Sequence, residues 1–182
     1  MTKVLGILGK PGAGKDTFCD FFEENHSSVE VIKFSDSLTQ ALEIFIDEVK
    51  REDQQWLVNG LRDRFGEDIL ARAVEKRIKN TDAEFVLLNG VRVQDDFKMV
   101  KRVGGFLVYV RTKPKLRWKR MKERGEKKDD NVSFEKFLEL DEGRSEREIE
   151  KIGKEADLVI DNNKSKDELE KQAQNLIKEL TK

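Results

Sequence analysis

The sequence is poor in residues that build covalent or metal cross-links. One cysteine and one histidine in 182 residues exclude an intrachain disulfide and a Cys/His zinc site. Charge of one sign is also missing in bulk. Lys plus Arg (36) nearly cancels Asp plus Glu (37), so no overall positive field argues for nucleic acid or a membrane surface as partner. No apolar run approaches bilayer-spanning length, and the opening MTKVLGILG lacks the charged-then-apolar pattern of a secretory leader. A cytoplasmic location is the expectation. Cys19 stands beside Phe18 and Phe22, the setting of a packed thiol, and His26 falls where a capping or surface role is expected. The length suits one domain, residues 1–182, with a full core.

What is present is concentrated at the start. Residues 3–17 read KVLGILGKPGAGKDT, an apolar run followed at once by a glycine-rich turn ending in lysine. Gly9, Gly14 and Lys15 match the GxxxxGK core of the P-loop, in which glycines let successive N–H groups turn toward phosphates and the lysine reaches the outer ones. Lys10, Pro11, Gly12 and Ala13 complete the turn. Val4, Leu5, Ile7 and Leu8 supply a strand before it, and Phe18, Phe21 and Phe22 recur at helical spacing after it. The phosphates would sit at that helix N-terminus, where unpaired N–H groups and the dipole favour anions. Asp16 stands where a serine or threonine usually places its hydroxyl on Mg²⁺, and the hydroxyl follows at Thr17. A carboxylate there suits the hard, well-hydrated Mg²⁺ ion. It also suits the first turn of a helix, whose dipole favours negative charge.

Short apolar segments recur at Val4–Leu8, Val29–Phe34, Phe85–Leu88, Phe106–Val110 and Leu158–Ile160, separated by stretches long enough for helices. Such alternation predicts a parallel sheet covered on both faces. Helical stripes are read at Leu38, Leu42, Phe45, Ile46 and Val49, at Ile69, Leu70, Ala73, Val74 and Ile78, and at Leu169, Ala173, Leu176, Ile177 and Leu180, each as core packing. Ser165 and Glu168 form a capping-box pattern at the head of the last helix. Two stretches interrupt the alternation, at about 35–66 and 114–133, and insertions of this kind are where substrate recognition sits in α/β domains.

Arg117, Arg120 and Arg124 are spaced three and four apart, so a helix carries them on one face, and Gly125 ends it. Guanidinium groups converging on a P-loop suit phosphoryl transfer, where the protein positions reactants and neutralises charge on the transferring oxygens. A solvated basic face, shared with Lys113, Lys115, Lys119 and Lys122, is the plainer alternative. Arg92 follows the third apolar strand, at a carboxyl end where open α/β sheets bind ligands. It is placed to reach an acceptor phosphate, or to pair with Asp95 or Asp96.

In this order the motifs resemble the small P-loop kinases related to adenylate kinase, in the branch of phage-type deoxynucleoside monophosphate kinases and archaeal dephospho-CoA-kinase-like proteins. The likeness rests on GKPGAGKDT, FSDSL, LRDRFGEDILAR, NGVRVQDDFKMVKRVGGFLVYVRT, RWKRMKERG and ADLVIDN, and spans most of the chain. It implies a three-layer P-loop NTPase fold, α/β, with a five-stranded parallel sheet in the order 2-3-1-4-5, an acceptor-binding helical insertion at about 35–66 and a short lid at about 114–133. It further implies that Gly9 to Thr17 wrap the phosphates of ATP, with Asp16 near Mg²⁺. Asp36, Arg62, Arg92 and Arg124 would face the acceptor, with Asp96 fixing Arg92. Arg117, Arg120 and Arg124 would belong to the lid, and Asn162 and Asn163 would border the donor's base. Lys15, Arg92, Arg117 and Arg120 are then the expected catalytic set. Asn89 departs from the pattern, standing where an acidic residue often ends the third strand.

The implied activity is transfer of the γ-phosphoryl group of ATP to a nucleoside or deoxynucleoside monophosphate. A dephospho-CoA-kinase-like reaction, with Asp36 as base for a ribose hydroxyl, keeps the same donor chemistry. A nucleotide-binding switch with weak ATPase activity is the reading of another class, and Asn89 is its best support. The expected partner is a small nucleotide-like acceptor.

Overall fold

The computed structural model describes residues 2–125 and 132–181, with the side chains of Arg144 and Ser145 outside that description. Five strands, β1 (Lys3–Leu8), β2 (Val29–Lys33), β3 (Phe85–Val91), β4 (Phe106–Arg111) and β5 (Leu158–Asp161), form one sheet. The order is β2-β3-β1-β4-β5 and every neighbouring pair is parallel. The chain therefore runs outward from β1 to one edge and later crosses to the other, and all five carboxyl ends open on one side of the sheet.

The strand sequences explain their burial. Leu5, Ile7, Phe85, Leu87, Val108 and Val110 point to one face, where they pack with α1 (Lys15–Asn25) and α9 (Lys166–Leu180) through Phe18, Phe22, Leu169, Ala173 and Ile177. Val4, Leu8, Val86, Leu88 and Leu107 alternate to the opposite face, against Ala71 and Val74 of α4 (Ile69–Lys79), Met99 and Val100 of α5 (Gln94–Arg102), and Ile149 and Ile152 of α8 (Arg144–Gly153). Both faces being covered, the strands read as nearly continuous apolar runs. Cys19 lies in the first of these cores and burial pushes its thiol pKa up, so it is a packing residue. His26 ends α1, where its Nδ1 accepts from the Ser28 N–H and its ring packs edge-on against Phe85.

The last helix starts as its sequence implies, with the Ser165 hydroxyl accepting from the Glu168 N–H. One helical reading needs correction. The stripe from Leu38 to Val49 is not a single core-facing helix: α2 (Asp36–Glu43) buries Leu38 and Leu42 and then stops. The Leu42 carbonyl accepts from both Phe45 and Ile46, tightening the last turn. Ile44 and Phe45 are left 77% and 81% exposed. The following α3 (Arg51–Phe65) buries Val58 and exposes Trp56 and Phe65, and it is tied to α2 by the Gln54 amide donating to the Thr39 hydroxyl. The second insertion contains α6 (Pro114–Arg124), and α7 (Phe134–Asp141) follows it directly. The lid expected at about 114–133 thus includes residues 126–131, which lie outside the described residues.

Candidate functional site

The loop from Gly9 to Gly14 joins β1 to α1 at the carboxyl edge of the sheet, beside the irregular step where Leu8 pairs with Val91. Gly14 precedes the helix with φ 93°, and α1 has no side-chain cap. The first N–H groups of α1 thus have neither an intrahelical acceptor nor a side-chain one. A Cβ on Gly14 would stand 2.3 Å from the Asn162 amide nitrogen, so glycine is required there by both conformation and space.

The loop is braced from behind through its carbonyls. The Ala13 carbonyl accepts from the Asn162 side-chain amide at 2.8 Å and the Thr112 hydroxyl at 3.0 Å. Pro11 O accepts from Arg117 Nη1 at 3.3 Å, and Gly9 O accepts from Lys15 Nζ at 2.9 Å. In a trans peptide the C=O and the next N–H point opposite ways. Pinning the Ala13 and Pro11 carbonyls therefore directs the N–H groups of Gly14 and Gly12 away from Asn162, Thr112 and Arg117. Lys15 is half-buried, and burial together with the neighbouring Arg92 charge brings its pKa down to about 8, against opposing influences from Asp16 and Glu146.

Three expected site residues, Asp16, Thr17 and Arg120, stand at this loop. Asp16 is exposed on the first turn of α1, and its Oδ1 accepts from Asn89 Nδ2 at 2.8 Å. Thr17 follows it, with a hydroxyl that bonds no protein group among the described residues. Arg120 reaches across from α6: its Nη2 donates to the Asn162 carbonyl at 3.2 Å, while Nη1 is buried without a hydrogen-bond partner among the described residues. That free nitrogen lies 3.8 Å from where a Gly14 Cβ would be.

Other residues sit differently from their sequence reading. Arg117 shares helix α6 with Arg120 but is engaged within the protein; it is 2% exposed and forms a two-pronged pair with Asp141 of α7 at 2.7 and 2.6 Å. Burial raises the Asp141 pKa, but Arg117 and Lys10 outweigh it and hold the carboxyl below its usual range. The Lys10 ammonium also leaves the loop, reaching Asp141 and Glu150 at 3.3 Å each. Arg124, in the last turn of α6, is exposed. Asn162 serves the loop as a brace, and Asn163 accepts from the Lys113 N–H through its side chain.

On the acceptor side, Asp36 is engaged, accepting from the Lys33 N–H at 2.8 Å and facing Arg77 at 3.5 Å. Asp96 does bind Arg92, but by its backbone: Oδ2 accepts from the N–H groups of Arg92 and Val93 at 3.0 and 3.2 Å, capping α5. Burial pushes the Asp96 carboxyl up to about 6 despite these bonds. The Arg92 guanidinium is exposed and has no ion pair with Asp95 or Asp96 among the described residues, Asp95 pairing instead with Lys98. Arg62 lies 3.4 Å from Glu67 at its Nε, which makes no hydrogen bond among the described residues. Thr112, Asp141 and Glu150 escaped sequence reasoning because their partners are 24 to 140 residues away, with no local pattern to signal them.

The AAA domain family model matches residues 5–151, and the chain belongs to that family. Among curated proteins it is similar to the UPF0200 protein of Methanothermobacter thermautotrophicus, 29% identical over 143 residues, which cover 76% of this chain and 70% of the relative. The UPF0200 protein of Sulfurisphaera tokodaii is 27% identical, with coverage of 78% and 76%. Among solved structures, TT1252 from Thermus thermophilus superposes with a TM-score of 0.62 at 18% identity, covering 100% of this chain and 99% of that one. Shikimate kinase from Acinetobacter baumannii, in complex with shikimate, gives 0.62 at 15% identity, covering 100% and 94%. The fold is that of the P-loop kinases.

Proposed function

From membership in this P-loop family, we propose that the protein is an ATP-dependent phosphotransferase that moves a γ-phosphoryl group to a small acceptor, a nucleoside or deoxynucleoside monophosphate. The observation that carries the reading is the Arg120 Nη1 atom, buried and unbonded among the described residues beside the uncapped start of α1. A buried guanidinium nitrogen without an acceptor is costly unless an anion completes it, and a helix N-terminus flanked by directed N–H groups is an anion site.

In this reading the loop N–H groups hold the donor phosphates. Lys15 moves from the Gly9 carbonyl to the outer phosphates, and Arg120 neutralises charge on the transferring group. An acceptor oxygen forms a bond to the γ-phosphorus as the bond to the β–γ bridging oxygen breaks, leaving ADP. A phosphate acceptor is already ionised and needs no base. That suits an Asp36 tied to Lys33 and Arg77, and it weighs against the ribose-hydroxyl reaction. Arg92, exposed at the end of β3, and Arg62 are the cations for the acceptor phosphate. Asp16 and Thr17 offer the hard oxygens that Mg²⁺ prefers, with phosphates and water completing its shell; among the described residues no cluster of three or more His, Cys, Asp or Glu stands in for them. When bound, the ion offsets negative charge on the phosphate oxygens. Arg117 is assigned to bracing the loop rather than to contacting the transferred group.

The test is a coupled ADP-release assay across monophosphates and dephospho-CoA. Turnover is expected with a monophosphate, and Arg120→Ala should lower kcat by about a thousandfold, the lower range for an arginine meeting the transferring group, while ATP affinity changes little. Absence of turnover with every acceptor, or an Arg120→Ala variant as active as the parent, would overturn it in favour of a switch.

A further inference from the structure

Two positions depart from the usual P-loop arrangement, and the structure brings them into contact. In most P-loop proteins a hydroxyl follows the lysine and a carboxylate at the end of a neighbouring strand completes the Mg²⁺ setting. Here the residue after Lys15 is the carboxylate Asp16, and the strand residue is Asn89, on β3 in register with Ile7 of β1 and Lys33 of β2. Asn89 is buried, and its amide nitrogen donates to Asp16 Oδ1 at 2.8 Å.

We infer that Asn89 is a positioning residue for Asp16, and that the two departures are one transposition in which the metal-facing carboxylate has moved from strand β3 to helix α1. This rests on the phosphotransferase reading. The chemistry requires the two changes together. An aspartate at 89 would set two carboxylates at hydrogen-bond distance, where like charges cannot both stay ionised. An amide carries no charge and offers the donors that a carboxylate lacks. The exchange of hydroxyl plus carboxylate for carboxylate plus amide conserves the local charge. It also occupies Oδ1 and leaves Oδ2 without a hydrogen bond among the described residues. The only ion-pair partner of this carboxylate among the described residues is Lys33, at 4.0 Å and exposed. A pair of that length and exposure contributes little to orientation.

The experiment measures ATP binding by titration calorimetry with and without Mg²⁺, and compares the gain in affinity that the ion produces. Asn89→Ala should lower the affinity for Mg²⁺ in the ternary complex about tenfold or more, as removal of a group that orients a ligand does, while metal-free ATP affinity stays near the parent's. Asn89→Asp alone should lose the gain as well, and the double variant Asp16→Ser/Asn89→Asp should recover it relative to Asp16→Ser. Thermal unfolding without nucleotide selects folded variants, with Asn89→Ser as the substitute if alanine is not tolerated. An Asn89→Ala protein with the parent's metal gain, or a double variant no better than Asp16→Ser, overturns the inference and leaves the functional reading intact. A parent protein that binds no ATP at any Mg²⁺ level overturns both.

Discussion

Lys15 donates to the Gly9 carbonyl, and its lowered pKa of about 8 reflects burial first and the Arg92 charge second. An anion reaching the loop would favour the ammonium and raise that pKa. Binding should therefore take up protons near pH 8, and ATP affinity should fall by up to about tenfold per unit as pH rises above 8 toward the lysine value of the complex, since each pKa unit is a tenfold difference between protonation states. Calorimetry in two buffers of different ionisation enthalpy measures the uptake; a pH-independent affinity across this range would show that Lys15 does not meet the nucleotide. The loop's identity was legible from Gly9, Gly14 and Lys15 because the motif is local and its chemistry rests on backbone geometry. The use of Asn162 was not. A side chain 149 residues from Ala13 becomes a brace only because β4 and β5 end beside the loop.

Helix α6 shows how far a periodic pattern carries. Spacing placed Arg117 and Arg120 on one face, but what a face meets is set by the element packed against it. Here α7 brings Asp141 to Arg117, and α8 brings Glu150 to Lys10. The result is an ionic strap from the phosphate loop to the return of the second insertion, with Arg117 and Asp141 side chains only 3% and 9% exposed. Removing one partner of such a buried pair leaves an uncompensated charge, so Arg117→Ala should destabilise the fold by about 3–5 kcal/mol. Replacing both partners, as Arg117→Met/Asp141→Leu, should cost less. Denaturant unfolding checks this, and equal losses for the single and double variants would mean that the pair is not the source. The same limit applied to the stripe from Leu38 to Val49. Its period was helical, yet the turn that ends α2 at Glu43 left Phe45 facing solvent, which periodicity alone could not register.

For the molecule as a whole, alternation of apolar segments with helical stretches gave the parallel sheet, because strands buried on both faces must be apolar along their length. The order 2-3-1-4-5 came from the resemblance and agrees with the sheet. That order puts the ends of β1, β3 and β4 side by side, and with them the phosphate loop, Arg92 and Thr112. One arrangement of strands thus brings Lys15 and Arg92, the cations proposed for donor and acceptor, to a single rim, where open α/β sheets bind ligands. The central claim is that this rim grips a polyphosphate tail. The most direct measurement is equilibrium binding of ATP with Mg²⁺ to the parent protein and to Lys15→Ala. Saturable binding by the parent, weakened by about tenfold or more in the variant through loss of a charge-assisted contact, is the predicted result; no binding by the parent, or equal binding by both, would contradict it.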